Sequence, residues 1–329
     1  MVDSSANEAT VVEGFPKLPH LPVNLFAIVM GMAGLTLATL RFENAFGVSP
    51  GISLAFVAAT VLVLLFLAAL YLLKLVKYPQ AVRAEWNDPV KIAFFPAITI
   101  GLILTGTAIG SFWLYIGLAV WALGAALHLA ATLAVLSAWI GHRAFEPVHL
   151  NPAWFIPVVG NVLVPIGGAG FGFVEVSWFF FSIGIVFWTV LLTLVFNRLI
   201  FHNPLPERLL PTLVILVAPP SAGFVAWMQL SGELDAFGRI LYFVALFFVM
   251  VVAVQFGRFA KLPFTIAWWA YSFPLAAFSV ASFIYADASG NAAMNAMAYV
   301  VYAALLAVLA TLIVKTINAA RRDEICQPD

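Results

Sequence analysis

Charge is scarce in this sequence: 9% of its 329 residues are Asp, Glu, Lys or Arg, against roughly 25% in a soluble domain. With 64% apolar residues and a mean hydropathy of +1.06, too little polar surface exists to face water, so lipid is the solvent. The formal net charge is zero, which removes the basic balance that nucleic acid as a partner needs. Cysteine is nearly absent. Cys326 alone excludes an intrachain disulfide, and no Cys/His metal spacing surrounds it. His142, Glu146 and His149 share one loop but fit no zinc motif, and HExxH is missing. No Ser/His/Asp or Cys/His arrangement is legible, so no enzyme, metal or cofactor is expected. The first 21 residues hold Asp3, Glu8 and Glu13 and no apolar run, and read as a tail rather than a cleaved signal.

What the chain does have is apolar segments of spanning length, about 20 residues each. They fall near Pro22–Leu40, Gly51–Val76, Val90–Gly110, Phe112–Ile140, Ala153–Gly172, Glu175–Phe196, Pro211–Leu230, Ile240–Phe256, Pro263–Tyr285 and Ala293–Lys315. The fold class expected is all-α integral membrane, with ten transmembrane helices. Tails at 1–21 and 318–329 flank a membrane domain at 22–317. With ten spans, thirteen of the fifteen Lys and Arg fall on the side of the termini, leaving Arg41 and Arg239 opposite. The positive-inside rule then places both termini in the cytoplasm.

Proline sorts the spans into two kinds. The odd ones contain Pro22, Pro96, Pro157, Pro165, Pro211, Pro219, Pro220, Pro263 and Pro274; the even ones contain none. Proline frees a carbonyl inside a helix, and lipid tolerates such backbone only within protein or along a wet cavity. Odd helices are therefore expected inside, even ones as a lipid-facing jacket: five hairpins, an array that fits a ring around an axis. Proline and glycine also permit close packing, as at Gly106…Gly110 and Gly168…Gly172, so the pattern alone leaves that alternative open.

The interiors of the odd spans as drawn hold no ionisable residue. A pump or proton-coupled porter ordinarily keeps one. A neutral, hydroxyl-dotted path suits weakly held ions limited by dehydration. The pore-lining residues expected are Gly31, Thr99, Gly106, Asn161, Gly167, Ser221, Ser272, Ala276 and Ser279, with kinks at Pro96, Pro157, Pro165, Pro219, Pro220 and Pro274. His128 is the one histidine deep in a span, and a hydrogen-bonded packing role is expected for it. The basic side of the termini favours anions, but topology alone produces the same asymmetry, so the ion's sign stays open at this point.

Trp268-Trp269-Ala270-Tyr271-Ser272-Phe273-Pro274-Leu275 resembles span nine of the slow-type anion channel family, closest to its bacterial TehA tellurite-resistance branch. Arg83-Ala84-Glu85-Trp86-Asn87-Asp88-Pro89-Val90, Phe94-Phe95-Pro96 and Pro157-Val158-Val159-Gly160-Asn161 match in place and order. The resemblance covers about residues 20 to 317. It implies five hairpins in quasi-fivefold array around a central pore, a homotrimer in the cell inner membrane, and small anions such as chloride or nitrate as cargo. A phenylalanine on span nine plugs the pore in that family, and Phe273 is the matching gate here. Ala27 and Val29 stand where close relatives often carry glycine and proline, which puts the kink of span one in question. The resemblance also leaves a second reading: a secondary transporter of dicarboxylates, tellurite or sulfite.

Overall fold

The computed structural model describes residues 16–141 and 145–327. His142, Arg143 and the outermost tail residues, Asp3, Glu8 and Glu13 among them, lie outside the described residues. Among those described, nine helices are long and apolar enough to cross a membrane: α1 (Val23–Phe46), α2 (Gly51–Lys77), α3 (Lys91–Gly110), α4 (Leu114–Ile140), α6 (Val174–Phe201), α7 (Glu207–Ser231), α8 (Ala236–Val254), α9 (Ile266–Ser289) and α10 (Ala292–Arg321). Between α4 and α6 lies a shorter apolar helix, α5 (Pro152–Gly168). It falls short of the span expected over Ala153–Gly172 because its last turn gives way to a glycine-rich turn ending at Gly172, φ 88°.

Several helices outrun the sequence boundaries, and their caps explain why. α1 continues past Arg41 to Gly47, whose φ of 64° closes the last turn in the left-handed region. Gly232 and Gly290 end α7 and α9 the same way. Asp235 starts α8 by accepting from the Gly238 N–H, which holds its carboxyl below the usual carboxylate range. The longer helices bring charge inside their limits: Arg41 and Glu43 near the end of α1, Asp287 near the end of α9.

The odd helices begin as 3-10 helix and the even ones do not. Val23–Phe26, Lys91–Phe94, Glu207–Val217 and Ile266–Tyr271 open α1, α3, α7 and α9, while α5 alternates 3-10 and α turns. The prolines sit where the α geometry resumes: Pro96 first, Pro165 and Pro219 second, and Pro274 third in their α segments. There the missing N–H costs little, since first-turn donors have no partner within the helix. α1 makes the same transition at Ala27 without a proline inside it.

Burial follows the alternation. In its most apolar stretch each of α1, α3, α7 and α9 buries 67–89% of its residues, whereas α2, α4, α6, α8 and α10 bury 28–33%. Each odd helix packs on the even helix that follows it. The odd helices also contact one another in the circuit α1–α3–α5–α7–α9–α1. The tightest seam joins α3 to α4: a Cβ on Gly106 would stand 2.4 Å from the Trp121 nitrogen, and one on Gly117 2.3 Å from Gly110.

The stretch Arg83–Val90, expected as a loop, lies largely in a short helix, Pro79–Asn87. Its Glu85 is buried, accepting from Lys74 Nζ (2.7 Å), the Tyr71 hydroxyl (2.8 Å) and the Val23 N–H (2.6 Å) at the start of α1. Lys74 also donates to the Leu21 carbonyl at 2.8 Å. Breaking such a pair from one side leaves a charge stranded, at about 3–5 kcal/mol. Lys74→Met and Glu85→Gln are therefore each expected to lower the melting temperature in detergent sharply, since each leaves the other's buried charge without its counterion. Equal melting for Lys74→Met and wild type would contradict this role.

Candidate functional site

Three cavities are each lined by all five odd helices. The first, about 50 Å³, lies at the end of the bundle carrying the described chain's two ends, where Lys17 pairs with Asp323. It is lined by Asn24, Met30, Ala97, Ile156, Thr212, Ile215 and Phe273 among others. The second, about 40 Å³, lies one turn farther in, and its lining carries no polar side chain. At the opposite end a mouth of about 430 Å³ is lined by Arg41, Asn44, Thr107, Gly167, Gln229 and Val280, among others.

Phe273 lines both small cavities, as do Met30, Ile156 and Ile215. The ring is 8% exposed and borders these voids, so its packing is incomplete on the axial side. Its backbone is placed by the switch from 3-10 to α helix at Ser272, with Pro274 next to it. The Phe273 ring passes close to Gly34 of α1, where a Cβ would stand 3.5 Å from it. An apolar constriction of this kind excludes ions because none of its groups replaces their water.

Of the residues expected to line a pore, Gly167 lies on the mouth; of the prolines expected as kinks, Pro219 lies on the second cavity and Pro274 on the first. Most others are seated in helix seams instead. A Cβ on Gly31 would stand 2.2 Å from Ser272 Oγ, and one on Gly34 2.7 Å from the Ala276 Cβ, so Ser272 and Ala276 bring α9 against α1. They fill the α1–α9 contact rather than leave free space beside Phe273. Gly106 serves the α3–α4 seam. Ser279 is fully buried, and its hydroxyl has no hydrogen-bond partner among the described residues.

The hydroxyls turn to backbone carbonyls about one turn back, as Ser and Thr do within helices. Thr99 donates to Pro96 O at 2.8 Å, Ser221 to Val217 O at 2.7 Å and Ser272 to Trp269 O at 2.6 Å. Thr132 of α4 serves Pro157 O at 2.7 Å, and the Asn161 amide serves Val158 O at 2.7 Å and Thr132 at 3.0 Å. Thr99 and Asn161 thus face α4 rather than the axis. Pro157 and Pro165 lie within the α segments of α5, and Pro220 follows Pro219 in the first turn of α7's.

His128 belongs to this seam. Its Nδ1 lies 2.8 Å from Thr99 Oγ1. A hydroxyl has one proton; given to Pro96, it accepts from Nδ1–H and leaves Nε2 with the lone pair. Nε2 has no partner among the described residues and lies behind Gly160. His128→Ala is expected to leave anion flux and its pH dependence intact while costing about 1–3 kcal/mol of stability. A flattened pH profile of flux with unchanged melting would contradict the packing role.

Sequence reasoning missed Met30, Ile156 and Ile215. Apolar on every face, their helices give no periodic signal of which side meets the axis. Asn24, whose amide oxygen is buried without a partner among the described residues, was also missed, as it sits just inside the expected span.

The comparisons bear on this geometry. The family profile described as voltage-dependent anion channel matches residues 20–317. The guard cell S-type anion channel SLAC1 of Arabidopsis thaliana is 28% identical over 316 residues, 93% of this chain and 57% of its own length. The tellurite resistance protein TehA homolog of Haemophilus influenzae is 30% identical over 265 residues, 78% of each chain. An uncharacterized transporter of Methanocaldococcus jannaschii, MJ0762, is 25% identical over 324 residues, 91% of this chain and 95% of its own. This chain spans about half to three fifths of the length of the plant channels it matches first. A multi-pass helical bundle with broken inner helices and an apolar neck, matched across residues 20–317, belongs to the voltage-dependent anion channel family of channels and transporters.

Proposed function

We propose that this protein is a passive, phenylalanine-gated channel for small inorganic anions, chloride and nitrate foremost. The observation that carries it is Phe273: one ring borders two voids lined by all five odd helices, with Met30, Ile156 and Ile215 beside it. Among the described residues no ionisable side chain lines the voids, so no coupling carboxylate is at hand there and any ion crosses by shedding water. The architecture is ten spans as five hairpins in quasi-fivefold array around this path, supported by the closed circuit of odd-helix contacts. α5 counts as a crossing, because its mixed 3-10 and α turns extend roughly 30 Å, about the hydrocarbon thickness. The contact of Lys17 with Asp323 supports the same count, since chain ends meeting on one side need an even number of crossings.

The membrane domain covers 22–317, between tails at 1–21 and 318–329. Both termini are cytoplasmic by the loop charges, and the assembly is a homotrimer in the cell inner membrane by family analogy. Recording in planar bilayers tests the function. Discrete unitary anion currents support a channel; smooth flux with no unitary events at any potential contradicts it. The competing reading, a secondary transporter or exporter of dicarboxylates, tellurite or sulfite, draws on the TehA homolog's name.

A further inference from the structure

The extra turns of α1 beyond Leu40 carry Arg41, Glu43 and Asn44. Glu43 Oε1 accepts from the Ile52 and Ser53 N–H groups that start α2, while its buried Oε2 has no partner among the described residues. Arg41 and Asn44 are three residues apart on one helix face. Both line the mouth at the end of the bundle away from the termini. Both also line a lateral crevice of about 570 Å³ between α1, α9 and the start of α10. Arg41 is the one charged side chain in the mouth's lining. Among the described residues no carboxylate lies within 4 Å of its guanidinium; Asp287, across the crevice, acts on it at longer range.

A half-buried guanidinium without an ion pair keeps its donor fork for a ligand. That fork presents parallel N–H groups, which match the two oxygens of a planar oxoanion and not a spherical halide. We propose that Arg41 and Asn44 form an anion-docking site at the mouth for small planar oxoanions, nitrate or a short carboxylate, and that Asp287 weakens it. The Asn44 amide adds a neutral donor beside the fork. The mouth opens onto the axis, so a docked anion waits above the neck. Holding stays weak, because the site is open to water and Asp287 opposes it, as recruitment rather than capture requires. This role in conduction rests on the channel reading; the binding itself does not.

Two readouts separate the two. In detergent, nitrate exchanged for fluoride at constant ionic strength is expected to raise the melting temperature of wild type and of Asp287→Asn, but not of Arg41→Gln. In planar bilayers, on a Phe273→Ala background, Arg41→Gln is expected to raise the nitrate concentration for half-maximal current about three- to fivefold. That shift appears only when nitrate is varied on the mouth side; Asp287→Asn shifts it the other way, and Arg41→Lys raises the half-maximal nitrate concentration while leaving that of chloride unchanged. Nitrate stabilisation of Arg41→Gln equal to wild type overturns the site whatever the current does. Stabilisation that depends on Arg41, with no anion current in any variant, supports the site and overturns the channel reading instead.

Discussion

Phe273→Ala is expected to raise anion conductance at least several-fold while leaving expression and assembly near normal. The ring stands between two voids and is the largest side chain shared by both linings, so its loss joins them. Truncating a Phe in a closed core costs about 3–5 kcal/mol. Here the cost falls below that range, because part of the ring's surface already borders empty volume and less packing is forfeited. The neighbouring backbone is fixed independently, by the Gly31–Ser272 and Gly34–Ala276 contacts, so α9 keeps its place when the ring is removed. Unchanged conductance in a correctly assembled variant would remove Phe273 from the gate. Truncating Met30 or Ile215 is expected to raise conductance less, since each borders both voids but with a slimmer side chain.

Selectivity is expected to follow hydration, with nitrate permeating better than chloride and sulfate permeating poorly. The hydroxyls of Thr99, Ser221 and Ser272 are spent on backbone carbonyls rather than offered to an ion. What remains at the neck is Phe, Met and Ile, so each ion meets the cost of dehydration with little returned. That cost is greatest for a compact dianion and least for a large monovalent one. Binding along the axis is expected to be millimolar, about −4 kcal/mol or less favourable. Reversal potentials under bi-ionic conditions give the order directly. Sulfate or malate passing more readily than nitrate, or a micromolar substrate site by calorimetry, would show a pathway that recognises its cargo.

The alternation of inner and outer helices was legible because proline and glycine act locally. A missing N–H must fall where the helix is already broken, and broken helix cannot face lipid. Helix ends were less legible. Leu40 read as the end of the first span, yet helices end where the backbone is capped, and the cap is Gly47. The same misjudgement hid Arg41, now the one charge on the mouth. The site was half legible: Phe273 came from resemblance, while the hydroxyls were assigned to the pore because a neutral, hydroxyl-dotted path suits weakly held ions. Thr99 and Ser272 found carbonyls instead. Sequence gives the hydroxyl but not its acceptor, which only the coordinates show. Met30, Ile156 and Ile215 were beyond reach, because an aliphatic residue on an all-apolar helix looks the same facing the axis, a neighbour or lipid.

Anion flux into proteoliposomes, with membrane potential and pH gradient imposed separately, tests passive conduction most directly. Nitrate uptake is expected to follow the potential set by a potassium gradient and valinomycin. It is expected to be indifferent to a pH gradient at zero potential, and to rise in Phe273→Ala without acquiring one. Uptake driven by the pH gradient at zero potential would contradict the channel and establish a proton-coupled porter.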